Sequence, residues 1–139
     1  MTRIEKVLYT GKVHTTSGGR DGSARSDDGK LDIKLSHFAG KGPGTNPEQL
    51  LAAGWSACFI GAIGIAASKA KVQLPEDLSV DTEVDLGTAG TEFFLQARLR
   101  VNIPGVAREV AQQLVEVAHR TCPYSKALHG NIHIETELV

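Results

Sequence analysis

Two cysteines carry the most reactive side chains in this sequence, and their settings decide what chemistry is open to them. Cys58 lies inside NPEQLLAAGWSACFIGAIGIAASKAK, residues 46–71, and Cys122 lies in AHRTCPYS, 64 residues further on. They form no C-x-x-C pair and no secreted disulfide framework, and in a reducing compartment both are expected as free thiols, so a bond between them would be transient and catalytic. The plain alternative is that each packs as a small core hydrophobe. A cysteine attacks as its thiolate, and Cys58 stands eleven residues past Pro47, too far into a helix begun there for the helix dipole to help. An external cation is needed. Arg20, on the corner Gly18-Gly19-Arg20-Asp21-Gly22, is a candidate, and its ordinary reading is a solvated turn charge. Glu48 is either part of a site or a first-turn carboxylate that complements the positive end of a helix.

A metal reading is open to His119, Cys122, His129 and His133, whose H-x2-C-x6-H-x3-H spacing superficially resembles a ligand set. It is disfavoured, because His133 alternates away from Ile132 and Ile134 and a Pro-broken turn separates the others. Neither a Gly-rich phosphate loop nor a G-x-S-x-G elbow occurs, so nucleotide binding and serine hydrolysis lack support. The residues alone leave two classes: a thiol enzyme, or a small-molecule or metal-binding protein whose cysteines are ligands or core.

The elements that must position the thiols follow from periodicity. Residues 46–71 predict a long central helix, with Asn46 as N-cap, Pro47 at the first helical position and Gln49 completing a capping box. Between Leu50 and Ala67 only Ser56 is polar, so the helix is expected to be covered on all sides. A membrane span is set aside because half of that stretch is Ala and Gly, and its neighbours read as strands of a soluble domain. Gly54, Gly61 and Gly64 cost helix stability, and such residues are tolerated best where another backbone packs closely.

Residues 4–16 and 31–36 read as strands around a Gly-rich corner, a short intervening strand and an Asp28-Gly29 turn. After Pro75, Leu78–Leu86 and Glu92–Ile103 predict a hairpin turning at Gly87–Gly90; Phe93, Leu95, Ala97, Leu99, Val101 and Ile103 share one face of its second strand. Pro104-Gly105 opens a second helix with Ala107, Val110, Ala111, Leu114 and Ala118 on its apolar face. Cys122 continues that face, but Pro123 disfavours a helical conformation there, so the thiol is expected at a helix end. A last strand runs from Ile132 to Leu138. The order predicts an α+β fold, one domain over residues 1–139.

Composition narrows the class further. Apolar residues make up 41% of the chain, the formal charge is −1, and there is one Trp, two Tyr and four Phe without a basic run, so nucleic acid is not an expected partner. The opening MTRIEKVLYT alternates and is charged, so no signal peptide is expected and the cytoplasm is the expected compartment.

NPEQLLAAGWSACF around Cys58, AHRTCPYS around Cys122 and GGRDG around Arg20, with Gly130-Asn131 following, resemble the organic hydroperoxide resistance proteins of the OsmC-like group, nearly end to end. Tyr124 in CPYS and the GGRDG corner favour that branch over the osmotically induced one. Lys126-Ala127-Leu128-His129 after CPYS and Leu51 depart from the usual residues. The resemblance implies an OsmC-like fold, with antiparallel sheets packed around a long central helix in an intertwined homodimer. It implies a peroxidase without metal or cofactor in which Cys58 attacks an organic hydroperoxide and Cys122 resolves the product as a disulfide. Arg20 would stabilise the Cys58 thiolate and Glu48 would orient the guanidinium. Trp55, Phe59, Phe93 and Tyr124 are the expected substrate-binding residues, and dihydrolipoamide or a lipoylated protein is the implied reductant. Glu48 and Cys58 lie ~15 Å apart along one helix, at about 1.5 Å per residue. One Arg20 could then serve both only if the helix breaks or Glu48 comes from a second, antiparallel copy, and the expectation is a homodimer that leaves the second route open.

Overall fold

The computed structural model covers residues 1–139. By contacts the chain divides into two compact units, Met1–Pro47 and Glu48–Val139.

The first unit holds a three-stranded antiparallel sheet, β1 (Val13–Thr15), β2 (Ser23–Ser26) and β3 (Asp32–Lys34), in that order. The β1–β2 connection is the glycine corner, which forms one turn of 3-10 helix over Gly19–Asp21. A Cβ on Gly18 would stand 2.7 Å from the Gly22 Cα, so only glycine lets the two backbones meet there. The Asp28-Gly29 turn forms as the sequence predicts. Asp28 accepts hydrogen bonds from the Ser26 hydroxyl and the Lys30 N–H, and Gly29 takes φ 73°. The first predicted strand is much shorter than residues 4–16: only 13–15 pair, and Ile4, Val7, Leu8 and Tyr9 stand exposed with no ladder partner in this chain.

The second unit is built on α1 (Pro47–Ala70), β4 (Ser79–Ala89), β5 (Glu92–Asn102), α2 (Arg108–Thr121), α3 (Pro123–Leu128) and β6 (His133–Leu138). Its sheet has the order β4-β5-β6. The hairpin is longer than predicted. Pairing continues through Gly87↔Phe94 to Ala89↔Glu92, and the reversal falls at Gly90-Thr91 with Gly90 at φ 63°. A second difference concerns direction: β6 joins β5 parallel, not antiparallel, because α2 and α3 carry the chain back across the sheet before it pairs.

Alternation along β5 sends Ala97, Leu99 and Val101 into the core and Arg98 and Arg100 outward. On the outer face Arg98 grips Asp85 through both terminal nitrogens, at 2.8 and 2.9 Å, and Glu83 through Nε. The inner face packs with Trp55, Phe59, Ala62 and Ile63 of α1 and Ala111, Val115 and Ala118 of α2 in one core cluster. Each large buried side chain matters here. Truncating Phe59 to Ala would cost about 3–5 kcal/mol.

The helix is long and apolar enough to cross a membrane by length and composition alone. Within this chain its buried face is a core face, which meets the sheet and α2. Its other side, with Ala53, Ala57, Gly61 and Ile65, is exposed in a single chain, so the all-round cover expected from the sequence is not supplied by this chain alone. Ser56, the one polar residue between Leu50 and Ala67, bonds the Ala52 carbonyl at 2.8 Å and the Thr82 hydroxyl at 2.7 Å. The helix closes with Lys71 at φ 55° and the Val72 N–H on the Ala67 carbonyl, the geometry that normally employs glycine.

Candidate active site

Cys58 sits midway along α1 and Cys122 at the joint between α2 and α3. Their sulfurs are 3.0 Å apart and both are free thiols. A disulfide measures about 2.05 Å, so a shift of about 1 Å would join them. The joint follows from Pro123, which pushes the preceding residue out of the helical region. Cys122 accordingly takes φ −63° and ψ 121°, its N–H closes α2 on the Ala118 carbonyl, and its own carbonyl accepts the Lys126 N–H to start α3.

The two thiols differ in exposure. Cys122 is 0% exposed, whereas Cys58 is only partly covered. Burial pushes the Cys58 thiol up, the bonded Cys122 thiol adds to the rise, and the Tyr124 backbone N–H pulls it part of the way down. That N–H belongs to the first turn of α3, where helical N–H groups lack a partner within the helix.

Tyr124 links the sulfur to an apolar cavity. The cavity measures about 370 Å³ and is lined by Leu51, Pro123, Tyr124, Ala127 and Leu128. The tyrosine ring lies against α1 at Gly54, where a Cβ would stand 3.0 Å from its Oη and 3.2 Å from Cε2. The close approach expected at this glycine is therefore to an aromatic ring.

Behind the thiols runs a chain of neutral hydrogen bonds. The Trp55 indole N–H donates to the Ser125 hydroxyl at 2.9 Å; His119 Nδ1 meets the same hydroxyl at 3.2 Å, and its Nε2 meets the Thr136 hydroxyl at 2.9 Å. The Phe59 ring packs on the imidazole with centroids 4.5 Å apart. Burial lowers the His119 pKa, and the charge of His129 lowers it further.

The residues marked in the sequence are thus distributed unevenly. Cys58, Cys122 and Tyr124 come together. Trp55 and Phe59 lie fully buried in the core that includes Cys122, and the accessible apolar wall is formed instead by Leu51, Tyr124 and Leu128. Phe93 stands at the hairpin end, 74% exposed and paired with Thr88. Glu48 occupies the first turn of α1, which runs unbroken to Cys58 and keeps the two Cα atoms ~15 Å apart along the axis. Arg20 lies in the first unit, on its 3-10 turn. His133 pairs with Glu135 and His119 with two hydroxyls, so these two rings of the metal-like pattern are turned to other partners. Sequence reasoning missed Ser125, Thr136 and Leu128, and weighed His119 only as a ligand. The available signal was spacing, since His119 and Ser125 flank Cys122 three residues to either side.

The OsmC-like protein family matches residues 40–137. The organic hydroperoxide resistance protein of Xanthomonas axonopodis pv. citri is 46% identical, with 99% of each chain covered. OhrB of Bacillus subtilis, also an organic hydroperoxide resistance protein, is 41% identical over 95% of this chain and 98% of its own. The crystal structures of OhrB and of a Legionella pneumophila organic hydroperoxide resistance protein each match 96% of this chain at 40% identity with a TM-score of 0.88, covering 100% and 98% of their own chains. This chain belongs to the OsmC-like family, within its group of organic hydroperoxide resistance proteins.

Proposed function

We propose that this chain is a cysteine-based peroxidase that reduces organic hydroperoxides to alcohols. The observation that carries the reading is the 3.0 Å contact between two free thiols 64 residues apart, one partly exposed and one buried. In the first step the Cys58 thiolate attacks the terminal oxygen of R–OOH. The O–O bond breaks, an S–O bond forms, and the alkoxide leaves and takes up a proton as R–OH, which leaves Cys58 as a sulfenic acid. Cys122 then attacks that sulfur. The S–O bond breaks as the S–S bond forms, and hydroxide leaves with the thiol proton as water. An external dithiol of the lipoyl type, dihydrolipoamide or a lipoylated protein, returns two electrons and two protons to restore both thiols.

Burial works against the thiolate at Cys58, so the reaction calls for a cation. Arg20 is assigned that task, with Glu48 orienting its guanidinium. The ~15 Å between Glu48 and Cys58 along one helix favours a homodimer in which Glu48 serves the partner's site. Exposed Ala53, Ala57, Gly61 and Ile65 on α1 and exposed Phe93 and Phe94 support such a second copy. The apolar cavity beside Tyr124 fits alkyl or aryl hydroperoxides better than hydrogen peroxide, and a reducing cytoplasm is the compartment in which both cysteines start as thiols. The whole chain acts as one peroxidase domain in this reading.

The test counts thiols before and after one equivalent of cumene hydroperoxide with metal chelated throughout. Loss of both thiols, with release of the alcohol and recovery on adding dihydrolipoamide, is expected. Retention of both thiols would remove the peroxidase reading.

A further inference from the structure

The relay behind the thiols is built from four elements: Trp55 on α1, His119 on α2, Ser125 on α3 and Thr136 on β6. Ser125 is 1% exposed, and no buried side-chain polar atom in the chain lacks a partner. Donor and acceptor counting orients the relay. The Trp55 indole can only donate, so it takes one lone pair of the Ser125 hydroxyl. The Ser125 O–H is then free to donate, and Nδ1 of a neutral His119 accepts it; the ring proton sits on Nε2 and goes to Thr136. Every group is satisfied in this tautomer. With a second proton on Nδ1, histidine becomes a double donor and the enclosed Ser125 hydroxyl loses its acceptor.

Ser125 is the residue after Tyr124 and the third after Cys122, so the relay fixes the short helix that carries both the Cys122 sulfur and the Tyr124 N–H facing Cys58. Resting on the peroxidase reading above, we infer that neutral His119 is a positioning residue for disulfide closure: through Ser125 it anchors the Cys122-to-Ser125 turn on Trp55 of α1, and so keeps Cys122 within reach of the Cys58 sulfenic acid. His119 touches no reacting atom. Its effect falls mainly on the second step, in which Cys122 displaces hydroxide from Cys58; peroxide attack feels it only through the Tyr124 N–H, a lesser influence on Cys58 than burial.

The sign of the pH effect is fixed by the surroundings. Phe59 covers one side of the ring, Ser125 and Thr136 cap its nitrogens, and the charge that reaches it is that of His129 after α3. Glu135 and Glu137 on β6 alternate away from Thr136; Glu137 faces Arg100, and Glu135 bonds His133. No carboxylate is therefore found holding a proton on the imidazole. Burial and the charge of His129 lower the His119 pKa, so closure is expected to slow as the pH drops through that lowered pKa.

The experiment follows both steps in one turnover of the full-length protein: alcohol released reports attack, and a sulfenic-acid trap with mass spectrometry reports the time to closure. His119→Leu is expected to slow closure by roughly tenfold, the weight of one buried hydrogen bond, while attack changes by less than about threefold. His119→Gln, which keeps an acceptor and a donor, should recover most of the closure rate and lose its fall at acid pH. Thr136→Val, a milder variant on the more open end of the relay, should slow closure by about twofold to threefold. Equal loss of both steps in His119→Leu, no gain in His119→Gln, or a wild-type closure rate flat with pH would each overturn the assignment. A wild-type chain that keeps its thiols under hydroperoxide would overturn the peroxidase reading itself, a result visible before any variant is made.

Discussion

Cys58 and Cys122 touch, yet the chain treats them oppositely. Cys58 lies inside an unbroken helix, where the backbone groups are already spoken for, so only neighbouring atoms can change its reactivity. Cys122 stands at a break, where an extended residue and a following proline leave the Tyr124 N–H unpaired within its own helix and turned on the Cys58 sulfur. Exposure differs in the same sense: Cys58 is partly open beside an apolar cavity, and Cys122 is enclosed. The contrast teaches a division of labour. In the proposed reaction, substrate would meet the first sulfur and the first sulfur alone would meet the second.

The largest expected effect breaks that division outright. Cys58→Ser should abolish peroxide reduction, by more than about a thousandfold, because a hydroxyl at neutral pH is a far poorer nucleophile. Cys122→Ser should still release one equivalent of alcohol and then stop as a trappable sulfenic acid or a mixed disulfide. Single-turnover alcohol release measures both, and equal loss in the two variants would show that the roles are not divided.

Much of this contrast was legible beforehand. Pro123 after Cys122 is enough to place one thiol at a helix end, because a local steric rule needs no tertiary contact. Capping residues and an apolar run likewise fixed the central helix, and alternation fixed the inward face of β5. The 3.0 Å meeting of the sulfurs was legible only through the family resemblance, since 64 residues of chain separate them. The parallel pairing of β6 and the true hairpin turn were misread, because register and direction depend on how α2 and α3 return the chain and not on any local pattern. Sequence does not tell whether Trp55 and Phe59 line a cavity or back it, because aromatic residues beside a cysteine look the same in either place. In this chain both are fully buried, in the core cluster that also holds Cys122. The relay escaped notice because a histidine, a serine and a threonine on three elements carry no signal until they are folded together.

A smaller effect sharpens the open side of the comparison. Gly54→Ala should gain about 1 kcal/mol of helix propensity, yet its methyl would press on the Tyr124 ring and move it toward the cavity. The ratio of kcat/KM for cumene hydroperoxide to that for tert-butyl hydroperoxide should fall by roughly fourfold, the weight of about 0.8 kcal/mol for one methylene's worth of packing. An unchanged ratio would take the ring out of the substrate wall.

The smallest effect concerns the influence of the enclosed thiol on the open one before any peroxide arrives. Desolvation is the first cause that raises the Cys58 pKa, and the hydrogen bond and charge of Cys122 raise it further. A raised pKa means that the folded state holds the proton, so the thiolate appears only as the pH rises past the ordinary cysteine range, and any stability due to that proton is lost on the same rise. Cys122→Ala removes both contributions of the neighbour and leaves burial and the Tyr124 N–H in place. The midpoint of Cys58 alkylation against pH should therefore move down in Cys122→Ala, read peptide by peptide with iodoacetamide in the reduced protein. An upward shift would mean that Cys122 serves the thiolate as a donor, and the buried cysteine would then assist the attack as well as the closure.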